Sequence, residues 1–439
     1  MVGMLAVPGL ASSGFAQEAP PLPVIMSDGT VGQTANENKD LFGWDFSGAL
    51  TLGSRFYLKK DPLPDWAYDL IPDLNGDVAF PYIAGDLKLT HTSSNGRTRF
   101  TVEANGNYDF INDRGDWDIP EANIFYDGGS WSVLAGIHKE SWGVAESVHL
   151  VDILNPIDLT GDPFENDRKG QPMVNANFTT GIGTISLYGL FGFRQVDFDG
   201  VSDRLPVGEI INNDAAVFED GTNRNLGFAA RYSNTINMSK SSLDYAFSYF
   251  LGTARSPRLV PGFDLGSDPP VFLAPYYDHI QQVGSELLYA HGALQLKFEG
   301  IYRRQRDQDI WAGVGGFEYT FANAFNSKAD VGIIGEYSLD SRDDGWLDCG
   351  WDTSFLMKEA AFAGLRIGLN NARNTSLLAG ASFDVNNSSR FYVVDFSTLV
   401  TDNLQFNLKG RFFDGFDKKS PFYLLNDEDY LQAAFTTFF

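Results

Sequence analysis

The segment FGWDFSGALTLGSRFYL, residues 42–58, alternates without a break. Its even positions (Phe42, Trp44, Phe46, Gly48, Leu50, Leu52, Ser54, Phe56, Leu58) are apolar or small, while the odd ones include Asp45, Ser47, Thr51 and Arg55. A period of two sends successive side chains to opposite faces, so the segment is a strand with one dry and one wet side. It far exceeds the roughly five or six residues of an ordinary soluble strand. RTRFTVEANGNYDF, residues 97–110, repeats the rule: Arg97, Arg99, Thr101, Glu103, Asn105, Asn107 and Asp109 alternate with Phe100, Val102, Ala104, Tyr108 and Phe110. Nowhere does an apolar run approach the ~20 residues that a helical membrane span requires. Any insertion into a bilayer must be by strands.

A dry face of this length can look at a protein core or at hydrocarbon. Aromatics near both of its ends, Phe42 and Trp44 at one and Phe56 at the other, suit the two interfaces of a bilayer. The pattern predicts 18 strands, near 42–58, 78–92, 97–110, 119–127, 131–140, 171–180, 182–194, 225–236, 241–254, 275–290, 293–305, 310–322, 328–339, 355–369, 375–386, 390–401, 404–413 and 429–439. The connections carry as much information. SSNG, DGGS, TG, HG, NNARN and TDN are tight turns, and most alternate with long acidic insertions at 59–77, 141–170, 195–224, 255–274, 340–354 and 414–428. Short turns at one rim and long loops at the other describe an all-β, closed antiparallel transmembrane β-barrel. About 18 strands are expected, with 16 as the alternative, and an even number puts both ends of the chain on the short-turn side.

Composition narrows the function. Aromatics make up 14% of the chain, which rules out a disordered acidic polymer despite the net charge of −25. That same acidity argues against a nucleic-acid partner, because phosphate binding needs clustered cations. Cys349 is the single cysteine and permits no internal disulfide. At the N-terminus an apolar run, Met4 to Leu10, leads to small residues around Ala16. It reads as the remnant of a secretory signal peptide over 1–16, followed by a Pro-rich tail over 17–40 and the barrel over 41–439.

The chain closes on YLQAAFTTFF. This resembles the C-terminal signature of Gram-negative outer-membrane β-barrels, whose last strand finishes on Phe. Counting back from Phe439, Thr437 stands where an aromatic is usual, while Phe435, Ala433 and Leu431 keep the phase. The resemblance, to a porin-like barrel of unassigned substrate, implies a place in the outer membrane among lipid and lipopolysaccharide. It implies periplasmic turns, extracellular loops and delivery by the barrel-assembly machinery. It also leaves room for a homo-oligomer, since trimers are usual among porins.

The third long insertion, SWGVAESVHLVDILNPIDLTGDPFENDRKGQP, is the most distinctive stretch. Its candidate constriction residues are Trp142, Glu146, Asp152, Asn155 and Asp158, and VAESVHLVDIL suggests a short helix stopped by Pro156. In porins the third loop folds into the lumen. By that likeness Glu146, Asp152, Asp158 and Asp162 would meet cations on the wall; otherwise the loop caps the rim.

On the wet face, the expected lumen-lining bases are Arg55, Arg97, Arg99, Lys297, Arg303, Arg366, Lys409 and Arg411, with Lys88 and Arg231. The acids are Glu103, Glu299 and Glu336, with Asp45, Asp86, Asp109, Glu286, Glu318 and Asp384. Charges of both signs inside a barrel need water or partners, which favours a hydrated lumen over a plug braced by salt bridges. No cofactor is expected. Ca²⁺ or Mg²⁺ bridging the acidic loops to lipid phosphates would fit oxygen-ligand chemistry, although DLNGD at 73–77 reads better as an Asx turn. His138 and Ser141 lie close in sequence, and no catalytic motif surrounds them. The sequence therefore favours a channel for small hydrophilic solutes. A non-conducting export or assembly partner of periplasmic proteins and an outer-membrane lipid hydrolase are the alternatives.

Overall fold

The computed structural model describes residues 39–41, 43–60, 77–159, 165, 167–198, 204, 211–219, 226–263, 271–305, 308–342, 357–416 and 423–439. Eighteen long strands close into one barrel. They are β1 (Trp44–Tyr57), β2 (Ala79–Thr92), β3 (Thr98–Asp109), β4 (Arg114–Asp127), β5 (Trp131–His138), β6 (Gln171–Thr180), β7 (Gly183–Leu190), β8 (Gly227–Asn237) and β9 (Ser241–Thr253). They continue with β10 (His279–His291), β11 (Leu294–Gln305), β12 (Gln308–Phe321), β13 (Asp330–Asp340), β14 (Glu359–Gly368), β15 (Ser376–Asp384), β16 (Arg390–Thr401), β17 (Leu404–Asp414) and β18 (Tyr430–Phe438). Each pairs antiparallel with the next, and β18 pairs with β1 from Tyr57↔Tyr430 to Ala49↔Phe438. Phe439 continues this seam through reciprocal backbone bonds with Gly48 of 2.9 and 3.0 Å. The ladder therefore has no open edge.

Cross-strand partners share a face, so one phase can be followed around the barrel. Arg55 sits opposite Gln432, Lys88 opposite Glu103, Arg231 opposite Ser186, Glu286 opposite Glu299, and Arg411 opposite Val393. The other phase looks out and is apolar. Leu50, Leu52, Phe56, Leu87, Phe100, Val102, Phe247, Leu296, Phe317, Ile333 and Phe435 are all large, hydrophobic and exposed. A closed ladder with a continuous apolar exterior is the solution a bilayer demands, because hydrocarbon offers no partner for a free N–H or C=O. Aromatics gather toward the strand ends: Trp44, Phe46 and Phe439 at the short-turn rim, Tyr302 and Trp311 at the other, the last two 4.5 Å apart.

All 18 predicted strands are present, with four shifted boundaries. β4 begins at Arg114 rather than near 119. Pro120 lies in a bulge where the register slips between Glu103 and Asn105, and that break hides the first half of the strand. Asp109 accepts from the N–H groups of Ile111 and Asn112 at 2.8 and 3.2 Å, closing a four-residue outward connection. β7 stops at Leu190, and β14 starts at Glu359. β10 starts at His279, because Val271–Tyr277 instead forms a loop hairpin with Arg258–Phe263. Short strand Lys39–Leu41 lies against β1. The expected leader, most of the tail, Cys349 and the acidic runs 61–73 and 343–352 fall outside the described residues.

Candidate functional site

The described residues between β5 and β6 (139–159, 165 and 167–170) run inside the barrel and dock on its wall. Most of the docking bonds come from the loop's backbone. Val144 and Ala145 donate their N–H groups to Glu299 Oε1 at 2.7 and 2.8 Å, and Leu150 and Val151 donate to its Oε2 at 2.9 and 3.4 Å. Glu146 N–H reaches Glu336 Oε1 at 2.8 Å, while Ser147 gives Glu336 Oε2 both its N–H and its hydroxyl at 2.7 and 2.6 Å. Gly143 N–H lies 3.3 Å from Glu286 Oε2. Glycine is required there: its φ is +115°, and a Cβ would stand 2.8 Å from Glu299 Oε1.

Between these anchors the loop buries Trp142, Ala145, Val148, Leu150, Val151, Ile153 and Leu154. They pack against the inward Leu134, Met173, Tyr188, Leu190, Phe250, Ile280, Ile301 and Val314. One side of the lumen is thus filled by a small apolar core. The expected helix over 144–154 does not form. Its N–H groups point at wall carboxylates instead of at carbonyls four residues back, so the ladder that defines a helix is never made.

Asn155 is fully buried and locks the loop's exit. Its Nδ2 donates to the carbonyls of His138 and Lys169, both at 2.9 Å, and its Oδ1 accepts from Glu140 N–H at 3.0 Å. Past it, Asp158 N–H bonds Asp167 O and Lys169 N–H bonds Pro156 O, each at 2.9 Å, giving a narrow hairpin. Ile157 and Leu159 pack beneath Val196, Phe198, Ile211 and Leu259 of the next two loops, a second apolar cluster at the mouth.

The loop acids meet different partners from those expected. Glu146 does pair with a wall cation, Arg366, at 2.6 Å. Asp152 instead pairs with Arg168 at 3.4 Å and Asp158 with Lys169 at 3.9 Å, both bases of the loop itself. Both pairs are buried, and a hairpin can satisfy its own charges without crossing the lumen. Asp162 lies outside the described residues. Glu165 was not singled out, yet it crosses to the far wall, contacting Lys409 and lying 3.7 Å from Arg411.

The remaining wall charges are also engaged. Arg55 donates to Gln432 at 3.2 Å and lies over the Tyr430 ring; Lys88 meets Glu103 at 2.9 Å. Arg99 faces inward over Phe125. Lys297 pairs with Glu318 at 3.1 Å, Arg303 donates to Gln282 at 2.8 Å, and Arg411 pairs with Asp395 at 2.8 Å. Arg97 departs from expectation: β3 begins at Thr98, which leaves Arg97 exposed in the preceding turn. Sequence reading missed Asp116, Asp118 and Glu121, which the Pro120 bulge had put out of phase. Glu121 Oε1 accepts from His138 Nδ1 at 2.8 Å, while Ser141 is exposed on the loop.

Between the loop and β2–β4 lies a solvent-open cleft with a cavity volume of about 130 Å³. Asp86, Asp116 and Asp118 line it from the wall, and Asp158, Glu165 and Asp167 line it from the loop. Arg194 contacts Asp118, and Lys139 stands 3.3 Å from Asp167. The passage is charged on both sides. Among the described residues no group of three or more His, Cys, Asp or Glu side chains is placed to hold a metal ion.

No protein-family model matches the sequence, and no curated protein does. Among solved structures, the chain is similar to the outer membrane protein OpdK from Pseudomonas aeruginosa, at TM-score 0.47 and 10% identity over 90% of this chain and 98% of that one. It is also similar to Pseudomonas aeruginosa OpdQ, at 0.47 and 12% over the same shares, and to Pseudomonas putida OprB, at 0.41 and 12% over 90% and 94%. Likeness at this level assigns neither a family nor a solute.

Proposed function

We propose that this chain is an outer-membrane channel through which small hydrophilic solutes pass, narrowed to one side by the inward loop. The observation that carries the reading is the cleft between the loop and β2–β4, which six acidic side chains line from its two sides. Charged walls are stable only with water or with partners, and a barrel of about 18 strands is too wide for its own side chains to close. Mixed charge in a confined passage orders water and sorts solutes by charge. The apolar exterior calls for lipid around the barrel, with lipopolysaccharide at the long-loop rim. The paired final strand, with Phe435 and Phe439, suits recognition by the assembly machinery. Chemistry at the site is not part of this reading.

The packed loop cluster at the mouth favours a second reading, a barrel that stays shut and serves an export or assembly partner. One experiment separates them. Purified chain inserted into a planar bilayer should give discrete conductance steps, and solutes that enter the cleft should interrupt them. Folded, inserted protein that never conducts would remove the channel reading and leave the second.

A further inference from the structure

We propose that Glu299 and Glu336, assisted by Glu286, are positioning residues that latch the inward loop, and that their protonation releases it and widens the passage. The latch rests on the docking geometry; only its conductance readout depends on the channel reading. Glu299 is fully buried and Glu336 nearly so, and among the described residues neither is paired with a cation. On the neighbouring strands Arg231 holds Glu286 at 2.9 Å, Lys297 and Arg366 hold Glu318, and Arg303 holds Gln282. The negative charge of the two glutamates is met by six loop N–H groups and one hydroxyl.

That arrangement works in one protonation state. An ionised carboxylate accepts at both oxygens, whereas a protonated one carries an O–H donor. At Glu299 both oxygens already face N–H groups, and at Glu336 they face N–H groups and the Ser147 hydroxyl. A proton on either carboxylate therefore sets donor against donor and strips the loop of its strongest, charge-assisted bonds. The charged and titratable groups facing this region include Arg231 on β8, Glu286 on β10, Lys297 and Arg303 on β11, Glu318 on β12, Arg366 on β14 and the loop's own Glu146. Of the acids, Glu286, Glu318 and Glu146 each hold a guanidinium.

The test follows amide hydrogen exchange of residues 143–151 in full-length protein folded into vesicles, alongside single-channel conductance, between pH 8 and pH 4.5. Wild type should protect these amides at neutral pH and lose protection on acidification, with conductance rising in step. Glu299→Gln and Glu336→Gln replace one acceptor oxygen by an NH₂ donor. They should expose the segment at neutral pH by roughly tenfold or more in exchange rate and flatten the pH response. Asp309→Asn, whose carboxylate pairs with Arg304 at the exposed outer rim, should change neither. Unaltered protection in both glutamine variants would overturn the latch, as would acid-stable protection in wild type, a measurement that needs no variant to fold. Protection lost without any change in current would uphold the latch and count against the channel instead.

Discussion

Replacing Leu52 by Arg should destabilise the barrel in a bilayer by about 2–4 kcal/mol, the known cost of a cation on a lipid-facing strand near the membrane centre. The position follows from the structure. β1 has 14 residues, and Leu52 lies about 1.5 positions past its middle. At ~3.3 Å per residue and a tilt of about 40°, this is ~4 Å from the midplane. Its neighbours across the ladder, Ile83 and Phe435, share the outward face, so no polar side chain beside it can shelter the guanidinium. Phe56 lies on the same face about 5.5 positions from the middle, or ~14 Å, where Arg can reach the headgroups and cost only about 0–1 kcal/mol. Thr51 faces inward, bonded to Thr436 at 2.9 Å, and Thr51→Arg should be tolerated where the lumen is wet. The three variants, unfolded by denaturant at equilibrium in phosphatidylcholine vesicles, should rank Leu52→Arg well above both others. An equal cost for Leu52→Arg and Phe56→Arg would refute the depth argument. A larger penalty at Thr51 would mean that the faces had been assigned the wrong way round.

Asn155→Ala removes three hydrogen bonds at the loop's exit and strands a buried N–H and two carbonyls; loop docking should weaken by roughly 2–3 kcal/mol, seen as faster proteolysis within 139–170 while the barrel stays intact. Arg231→Met leaves Glu286 buried without its guanidinium and should cost about 3–5 kcal/mol, much of it recovered by adding Glu286→Leu, as read from denaturant midpoints. Lys409→Glu sets a second negative charge against Glu165. It should move the reversal potential under a salt gradient toward cation preference, and a shift toward anions would contradict the placement of the passage beside the loop tip.

The barrel was legible because strand phase is a local property. Once Phe46, Leu50 and Leu52 are read as outward, alternation alone assigns Arg55, Lys88, Glu103, Glu299 and Arg366 to the opposite face. The ladder registers then carry that assignment from strand to strand. It failed where the period itself is interrupted. Pro120 and Ile119 add residues on one strand opposite a single partner region, so Asp116 and Asp118 fall out of step with Glu121, although all three face inward. Arg97 was misplaced for a related reason: alternation runs on into a turn, and the pattern has no mark for the last paired residue.

The inward loop was legible in kind but not in chemistry. Its acids and the Trp-Gly and Asn-Pro steps single it out, and like-attracts-unlike reasoning then looks for cations on the wall. Opposite residues 143–151 the wall presents Glu286, Glu299 and Glu336. What that wall binds is the peptide backbone, which every residue carries and which no side-chain pattern advertises. Only Gly143 hints at it, since a residue without a Cβ lets the chain come within reach of Glu299. The same fact explains why VAESVHLVDIL is not a helix. Helical hydrogen bonding would take the N–H groups of Leu150 and Val151 away from Glu299 Oε2 and align the first four N–H groups along one axis, where they cannot meet two separate carboxylates as they do here. Without helical hydrogen bonds, the segment satisfies both carboxylates while still burying Val148, Leu150, Val151 and Leu154. The wall, more than the loop's own propensity, dictates the loop's conformation, so neutralising those two glutamates should free the segment to adopt the helix its sequence suggests.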